Sequence, residues 1–171
     1  MIKMEIYGVS FDLVGKTPIV LLKMVGGNKF LPIWIGHPEA AAILMKLQEA
    51  PVPRPMTHDL AADIVQQLGG EVVSIAVTEL RDSTFYARIT VRQNGTEIEI
   101  DSRPSDAIAI AIRVDAPIFA SDEVMEESAI EFEGEESEEE MVDQFKQFLE
   151  TVSPEEFALG EEGEQGGEEE T

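Results

Sequence analysis

The chain has 171 residues and is 43% hydrophobic, which indicates one globular domain with a buried core. It contains no cysteine, which excludes disulfides, thiolate metal sites and a cysteine nucleophile. Its net charge of −23 is uneven: residues 1–121 hold 14 acidic and 11 basic side chains, net −3, whereas residues 122–171 hold 21 acidic side chains against Lys146, net −20.

The first 35 residues predict three strands. Apolar and polar residues alternate over residues 2–6, which is typical of a strand with one buried face. A nearly continuous apolar run over 18–25 predicts a buried strand, the turn signal at 26–29 follows, and 30–35 forms the return strand. Pro32 cannot donate a hydrogen bond to a neighbouring strand, so we expect it at an edge, a bulge or the strand start.

Two helices are predicted next. Pro38 and Glu39 suit the first turn of a helix whose apolar stripe is Ala40, Ile43, Leu44 and Leu47. A loop rich in proline follows, and then a second helix is indicated by the spacing of Leu60, Ile64, Val65 and Leu68. Thr57 is the natural N-cap of this helix, which places His58 and Asp59 in its first turn.

The second half of the body predicts strands at 71–80, 85–93 and 96–101, the last two joined by the hairpin signal Asn94-Gly95. The alternating alanines and isoleucines of 107–112 have the period of a strand. The preceding serine, aspartate and Pro104, with the high helix propensity of alanine, favour a buried helix instead. A short extended segment at 117–119 and an acidic helix at 122–130 complete the body.

This order predicts an α+β fold of mostly antiparallel strands with helices packed on the sheet. We place the domain at residues 1–131. Residues 132–171 then form an acidic linker, an amphipathic helix at 141–152 and a disordered tail of glutamate and glycine. The apolar stripe of that helix is expected to dock either on its own domain or on a protein partner.

Polar residues that do not fit the core pattern gather at three predicted helix starts. They are His37 and Glu39; Arg54, His58 and Asp59; and Asp101, Arg103, Ser105 and Asp106. Such a set suits a phosphodiester substrate, since carboxylates hold divalent ions, arginines clamp phosphate, and a histidine acts as a general base. If the helix starts converge, then His58, Asp101 and Asp106 should lie within one hydrogen bond or one bridging ion of a shared point.

Each signal also has a plainer interpretation. Acidic residues such as Asp101 and Asp106 commonly cap helices, and an arginine such as Arg103 beside a carboxylate usually forms an ion pair. His37 before a proline is typical of a turn, and the first turn that holds His58 can simply face water. The chain has no Walker loop and no His-Glu-x-x-His spacing, and the basic residues of the body do not form a patch with interleaved aromatics.

Taken together, several motifs resemble the bifunctional nuclease domain family over roughly residues 1–131. They are Leu31-Pro32-Ile33-Trp34-Ile35-Gly36, Glu39-Ala40, Arg54-Pro55-Met56-Thr57-His58-Asp59-Leu60, Thr84-Phe85-Tyr86-Ala87 and Asp101-Ser102-Arg103-Pro104-Ser105-Asp106-Ala107-Ile108-Ala109. The resemblance implies an α+β domain, often oligomeric, whose plant relatives act on both RNA and DNA.

The leading hypothesis is therefore a nuclease that hydrolyses phosphodiester bonds in RNA and DNA with Mg²⁺ or Mn²⁺. The assigned roles are catalysis for His58, Asp59, Asp101 and Asp106; substrate binding for Arg54, Arg103 and Ser105; and metal binding for Glu39, Asp101 and Asp106. The alternative is a non-enzymatic oligomeric regulatory or protein-interaction module. It is favoured by the absence of a basic groove and by an acidic tail that repels nucleic acid. An open cleft at the polar cluster would favour the nuclease, and closed ion pairs would favour the module.

The remaining expectations concern assembly and location. The apolar hairpin at 18–35 is expected to be covered partly by a second copy, in a homodimer or higher homo-oligomer. The sequence has no uninterrupted apolar stretch of ~18 residues, so we expect no membrane span. The N-terminus lacks the apolar stretch of a signal peptide and the chain lacks cysteine, so we expect a cytoplasmic protein.

Overall fold

The computed structural model describes residues 1–11 and 16–131, with positions 147 and 150. The strands are β1 (Ile2–Phe11), β2 (Pro18–Met24), β3 (Lys29–Trp34), β4 (Gly70–Arg81), β5 (Thr84–Gln93), β6 (Thr96–Ser102), β7 (Ile118–Ala120) and β8 (Ile130–Glu131). The helices are α1 (His37–Leu47), α2 (Thr57–Gln67), α3 (Pro104–Val114) and α4 (Asp122–Ser128). The predicted α+β class is confirmed. The predicted linker, amphipathic helix and tail lie outside the described residues.

The eight strands form one sheet in the order β6-β5-β4-β7-β1-β2-β3-β8. Neighbouring strands are antiparallel except β4 and β7, which pair in parallel from Ile75–Ile118 to Val77–Ala120. β7 thus joins two antiparallel groups, β4–β6 on one side and β1–β3 with β8 on the other. The sequence indicated only a short extended piece here.

The edge position of Pro32 agrees with the expectation for a residue that has no N–H group. Pro32 lies opposite Leu21 of β2. On its other side, β3 pairs with β8 only at Lys29 and Phe30, so β8 does not reach Pro32. The predicted helix at 122–130 is shorter than expected. It ends at Ser128, because Ile130 and Glu131 pair with β3 instead.

The main core lies between the sheet and the helices, and α3 is central because it contacts both α1 and α2. The helix predicted for the alternating alanines and isoleucines is confirmed, and Ala107, Ile108, Ala109 and Ala111 are fully buried. A smaller apolar cluster of Ile19, Leu21 and Phe30 involves the alternate residues of β2 and β3 and packs against Trp34. None of the described helices is long and apolar enough to cross a membrane.

The apolar hairpin of β2 and β3 is covered by the chain itself. Val20, Leu22 and Ile33 are buried in the main core. On this face of the hairpin no second copy is needed to cover the apolar side chains, because α1 and α4 pack on these strands; Trp34 lies with the smaller cluster on the other face. Homo-oligomer formation remains a prediction.

Exposed apolar side chains lie instead along the outer side of α2. Leu60, Ile64 and Leu68 are 52%, 49% and 70% exposed, and Met56 precedes them at the same four-residue spacing. The inner side of α2 carries the small Ala62, which is buried, and Val65. Residues spaced by four lie along one ridge of a helix. We call the row Met56, Leu60, Ile64 and Leu68 the α2 ridge. Three of the four residues whose spacing predicted this helix are therefore exposed, and they are not the ones that pack it against the core.

Substitution of the α2 ridge should change stability little. Leu60→Gln and Ile64→Gln are expected to alter the free energy of unfolding by no more than about 0.5 kcal/mol, since both side chains already face water. Ile75→Ala serves as the reference, because Ile75 is fully buried in β4 and its truncation should cost about 2–5 kcal/mol. Urea unfolding at two protein concentrations measures both. Ridge variants as costly as Ile75→Ala would contradict the prediction, and only a cost that rises with protein concentration would show that another molecule covers the ridge.

Candidate functional site

α2 begins one residue earlier than the capping pattern suggested. The Leu60 N–H donates to the Met56 carbonyl, so Met56 is the N-cap and Thr57 is already the first helical residue. The prediction of Thr57 as the N-cap is wrong. Met56 becomes the N-cap because its N–H donates to the carboxylate of Asp59 at 2.9 Å. Asp59 is the third residue of α2, the position from which an acidic side chain commonly bonds back to the N-cap.

The second oxygen of Asp59 binds Arg113, near the C-terminal end of α3. Arg113 Nε donates to Asp59 Oδ1 at 2.6 Å, and the Arg113 side chain is only 6% exposed. Its two terminal nitrogens donate to the carbonyls of Ala109 at 2.8 Å and Ala42 at 3.0 Å. These contacts connect α1, α2 and α3. Asp59, predicted to be catalytic, therefore makes the contacts of a residue that fastens α2 to its neighbours.

The electrostatics of Asp59 follow from the same contacts. Burial alone would raise the pKa of its carboxyl group. The Met56 N–H and the Arg113 guanidinium outweigh burial, and the pKa of Asp59 lies below its ordinary value. The carboxylate is thus held ionised as a structural anion.

His58 and Asp106 meet directly. His58 is the second residue of α2, and Asp106 is the third residue of α3. His58 Nε2 lies 2.8 Å from Asp106 Oδ1 in a partly buried hydrogen bond. The expectation that these two helix starts converge is confirmed for this pair.

Arg103, the N-cap of α3, extends this contact to a third helix start. Its Nε donates to Asp106 Oδ2 at 2.7 Å, and one terminal nitrogen donates to Glu39 Oε1 at 3.1 Å. Glu39 is in the first turn of α1. His58, Asp106, Arg103 and Glu39 thus form a continuous polar chain, which we call the four-residue cluster.

Three other predicted site residues lie outside this chain of contacts. Asp101 is exposed on β6 opposite Arg88, and Arg54 is exposed in the proline-rich loop. Within the described part of the chain, no hydrogen bond or ion pair joins either side chain to the four-residue cluster. Ser105 is buried in the first turn of α3, next to Arg103 but not bonded to the cluster.

The charge of Asp106 is set by two partners. Burial alone would raise the pKa of its carboxyl group, but the hydrogen bonds and charges of Arg103 and His58 outweigh burial and lower that pKa. In turn, Asp106 and Glu39 raise the pKa of Arg103 further above its ordinary value. The Arg103 guanidinium and the Asp106 carboxylate are therefore ionised together.

The carboxylates do not fit the predicted Mg²⁺ or Mn²⁺ site. Arg103 binds both Glu39 and Asp106, so a guanidinium already lies between the two oxygens that a divalent ion would need. Asp101 does not join them. Over residues 1–11 and 16–131, no group of three or more His, Asp or Glu side chains is placed to hold a metal ion.

The four-residue cluster opens to solvent at Arg103. The Arg103 side chain is 65% exposed, and it lines a cavity of about 360 Å³ at the starts of α1 and α3. We call it the Arg103 cavity, and the apolar part of its lining includes Ile33, Ile35, Phe85 and Pro104. The polar residues thus divide into two groups: Asp59 with Arg113, which line a separate cavity of about 510 Å³, and the four-residue cluster, which reaches solvent at Arg103.

Sequence reasoning missed the role of Arg113 and the contact of Glu39 with Arg103. Within its own helix, Arg113 donates to the Ala109 carbonyl, as a basic residue in the last turn of a helix commonly does. Its partners Asp59 and Ala42 are 54 and 71 residues away along the chain. No local spacing indicates such contacts.

The lowered pKa of Asp106 makes a prediction for acid unfolding. A carboxyl group with a lower pKa in the folded state stabilises the fold above its unfolded-state pKa of about 4. This contribution is lost as the pH falls through the folded-state value. Asp106→Asn removes it, so the unfolding free energy of this variant should fall less steeply with acid below about pH 4. Chemical unfolding between pH 2 and 7 measures this.

Asp101→Asn is the matched control, because it removes one negative charge outside the four-residue cluster. Its acid dependence should stay close to that of the parent chain. Equal flattening in Asp101→Asn and Asp106→Asn would assign the effect to net charge and contradict the prediction.

Comparison with known proteins agrees with the resemblance in the sequence. The family model of the bifunctional nuclease domain matches residues 20–133. The chain is 36% identical to an uncharacterised protein of Mycobacterium tuberculosis over 162 residues, which span 91% of this chain and 97% of that protein. It is 31% identical over 103 residues to bifunctional nuclease 1 of Oryza sativa subsp. indica, and 30% identical over 105 residues to bifunctional nuclease 1 of Arabidopsis thaliana. These plant alignments span 58% and 59% of this chain, but only 31% and 32% of the plant proteins. The chain therefore belongs to the bifunctional nuclease domain family.

Proposed function

We propose that this protein hydrolyses phosphodiester bonds in RNA and DNA at the four-residue cluster. The observation that carries the proposal is the 2.8 Å hydrogen bond between His58 and Asp106, in a cluster that also contains the solvent-exposed Arg103. The rice and Arabidopsis relatives are named bifunctional nucleases, although this chain spans about a third of each. Their activity is extended here to this chain on the basis of the cluster.

His58 is suited to take a proton from water. An ionised carboxylate accepts hydrogen bonds only, so the bond to Asp106 favours the tautomer of neutral His58 that carries its proton on Nε2. The lone pair of Nδ1 is then available as a base. Asp106 holds the ring in that tautomer and stabilises the imidazolium that forms, as carboxylates do beside other catalytic histidines.

Arg103 is suited to hold the phosphate. Its contacts with Asp106 and Glu39 use two of the five N–H groups of a guanidinium, which leaves three. The two carboxylates fix the guanidinium plane, so little side-chain entropy would be lost when phosphate binds. An arginine held in this way can donate two parallel hydrogen bonds to a phosphate.

In the proposed step, a water molecule held by His58 attacks the phosphorus beside Arg103. The water gives one proton to Nδ1 as the new phosphorus–oxygen bond forms. The bond to the leaving oxygen breaks, and that oxygen takes a proton from the imidazolium or from solvent. Glu39 and Asp106 position Arg103 in this scheme. A divalent ion enters no step, because the carboxylates that would hold one are engaged by Arg103.

The test is digestion of labelled RNA and DNA oligonucleotides by highly purified protein, with Mg²⁺, Mn²⁺ or chelator. His58→Ala is expected to lower kcat/KM by about 10²–10⁴, the range for loss of a general base. Asp106→Asn is expected to lower it by up to about 10⁴, because the amide no longer favours the required tautomer of His58. Asp101→Asn and Arg92→Gln are the controls, because neither side chain touches the cluster, and both should retain activity. Arg92 forms ion pairs with Glu71 and Glu97 instead.

Unfolding is measured on the same samples to distinguish catalysis from stability. If the cluster only fastens helix starts, as in the non-enzymatic alternative, His58→Ala would lower stability while any cleavage stayed at the level of the controls. That result would reject the proposed function.

Arg103 makes a separate prediction for binding. Arg103→Gln should weaken the binding of a single-stranded oligonucleotide and reduce the slope of log affinity against log salt by about 0.7, the value for one lost phosphate contact. Arg92→Gln should leave the slope unchanged, because its guanidinium is on β5 in ion pairs of its own. Fluorescence anisotropy across a salt series measures this slope. Identical slopes for the two variants would show that Arg103 contacts no phosphate.

A further inference from the structure

The Arg103 cavity combines an apolar wall with a cation at its mouth. Phe85 packs against the main core, so its ring belongs to the helix-covered face of the sheet, as do Ile33 and Ile35. Pro104 adds the apolar ring of the first residue of α3. The volume of about 360 Å³ lies within the range of small-ligand pockets, ~300–1,000 Å³. Such a pocket accepts a flat apolar group that is joined to an anion.

Side-chain hydroxyl groups line the same cavity. Ser105 is only 6% exposed, and none of the hydrogen bonds made among the described residues uses its hydroxyl. Thr84 adds a second hydroxyl at the exposed start of β5, where it donates to the Asp82 carbonyl at 3.3 Å and can still accept a hydrogen bond. Within the described part of the chain, the Ser105 oxygen is not among the side-chain atoms that are both fully buried and without a hydrogen bond, so it is accessible to a ligand. Heteroatoms on the edge of a flat group could form hydrogen bonds with it.

We propose that the Arg103 cavity receives one unpaired nucleobase while Arg103 holds the adjoining phosphate. The base stacks on or beside Phe85, and its polar edge reaches the hydroxyls of Ser105 and Thr84. This inference rests on the proposed function and specifies its substrate class. A base can enter a cavity only when it is out of the duplex stack, so the preferred substrates are single strands, loops and frayed ends.

A nucleobase fits these features better than other anionic ligands do. A free phosphate would use Arg103 but leave the apolar wall exposed to water. A fatty acid would use the apolar wall but not the hydroxyls. Aromatic side chains bind bases of any sequence, since every base has a π face. The site is therefore expected to select unpaired nucleotides with little preference among the four bases.

The test compares adenosine 5′-monophosphate with ribose 5-phosphate on the full chain, by NMR titration or calorimetry. The two probes share the sugar and phosphate and differ in the base. Adenosine monophosphate is expected to bind roughly 5- to 150-fold more tightly, the factor that corresponds to the stacking of one base. Equal affinity, or no binding of either probe, would overturn the inference.

Phe85 and its neighbour Tyr86 provide matched variants. Phe85→Leu keeps an apolar side chain in the core but removes the ring, and it should erase most of the difference between the two probes. Tyr86 lies on the opposite face of β5, where it stacks with Arg81, so Tyr86→Leu should retain the difference. Retention of the full difference in Phe85→Leu would reject the proposed base site.

Cleavage of matched single-stranded and duplex oligonucleotides separates this inference from the proposed function. Faster cleavage of the single strand, lost in Phe85→Leu, supports the base site. Cleavage of both substrates at equal rates by the parent chain rejects the base site but retains the nuclease. Selective binding of adenosine monophosphate without any cleavage rejects the nuclease but retains the base site.

Discussion

The buried guanidinium of Arg113 is the interaction on which the arrangement of the helices depends. Its nitrogens donate to Asp59 on α2, to the Ala109 carbonyl on α3 and to the Ala42 carbonyl on α1. A buried charge is tolerated only when it is paired and hydrogen-bonded, and loss of one partner from such a pair typically costs 3–5 kcal/mol. Because each helix contributes one acceptor, the contact specifies how the three helices lie against one another.

The four-residue cluster follows from that arrangement. Each of its helix starts carries polar residues in its first turn or cap, and the helices are placed so that these starts meet. Asp59 and His58 are adjacent in α2 but bind different partners, Arg113 and Asp106. Adjacent residues on a helix point in directions about 100° apart, which is why one of them fastens the helix and the other lies at the open cluster.

Arg103 connects the cluster to the rest of the proposed site. It is an ion-pair partner for two carboxylates and also a lining residue of the neighbouring cavity. The same geometry argues against the predicted carboxylate-bound divalent ion, since the guanidinium occupies the place between Glu39 and Asp106. A pre-oriented arginine and a carboxylate-bound histidine are therefore the two features on which the proposed phosphodiester hydrolysis rests.

The sequence by itself determined the α+β class, most element positions, the three polar helix starts and the family, because periodicity, turn residues and motifs are local signals. It did not determine the parallel insertion of β7, the exposure of the α2 ridge or the separation of Asp59 from His58. Those features depend on contacts between residues far apart in the chain. The contacts of the four-residue cluster are of the same kind: His58 and Asp106 are 48 positions apart, and Arg103 and Glu39 are 64 positions apart. Only packing decides which of several equally polar side chains become neighbours, since helix spacing specifies a face of a helix but not what that face meets.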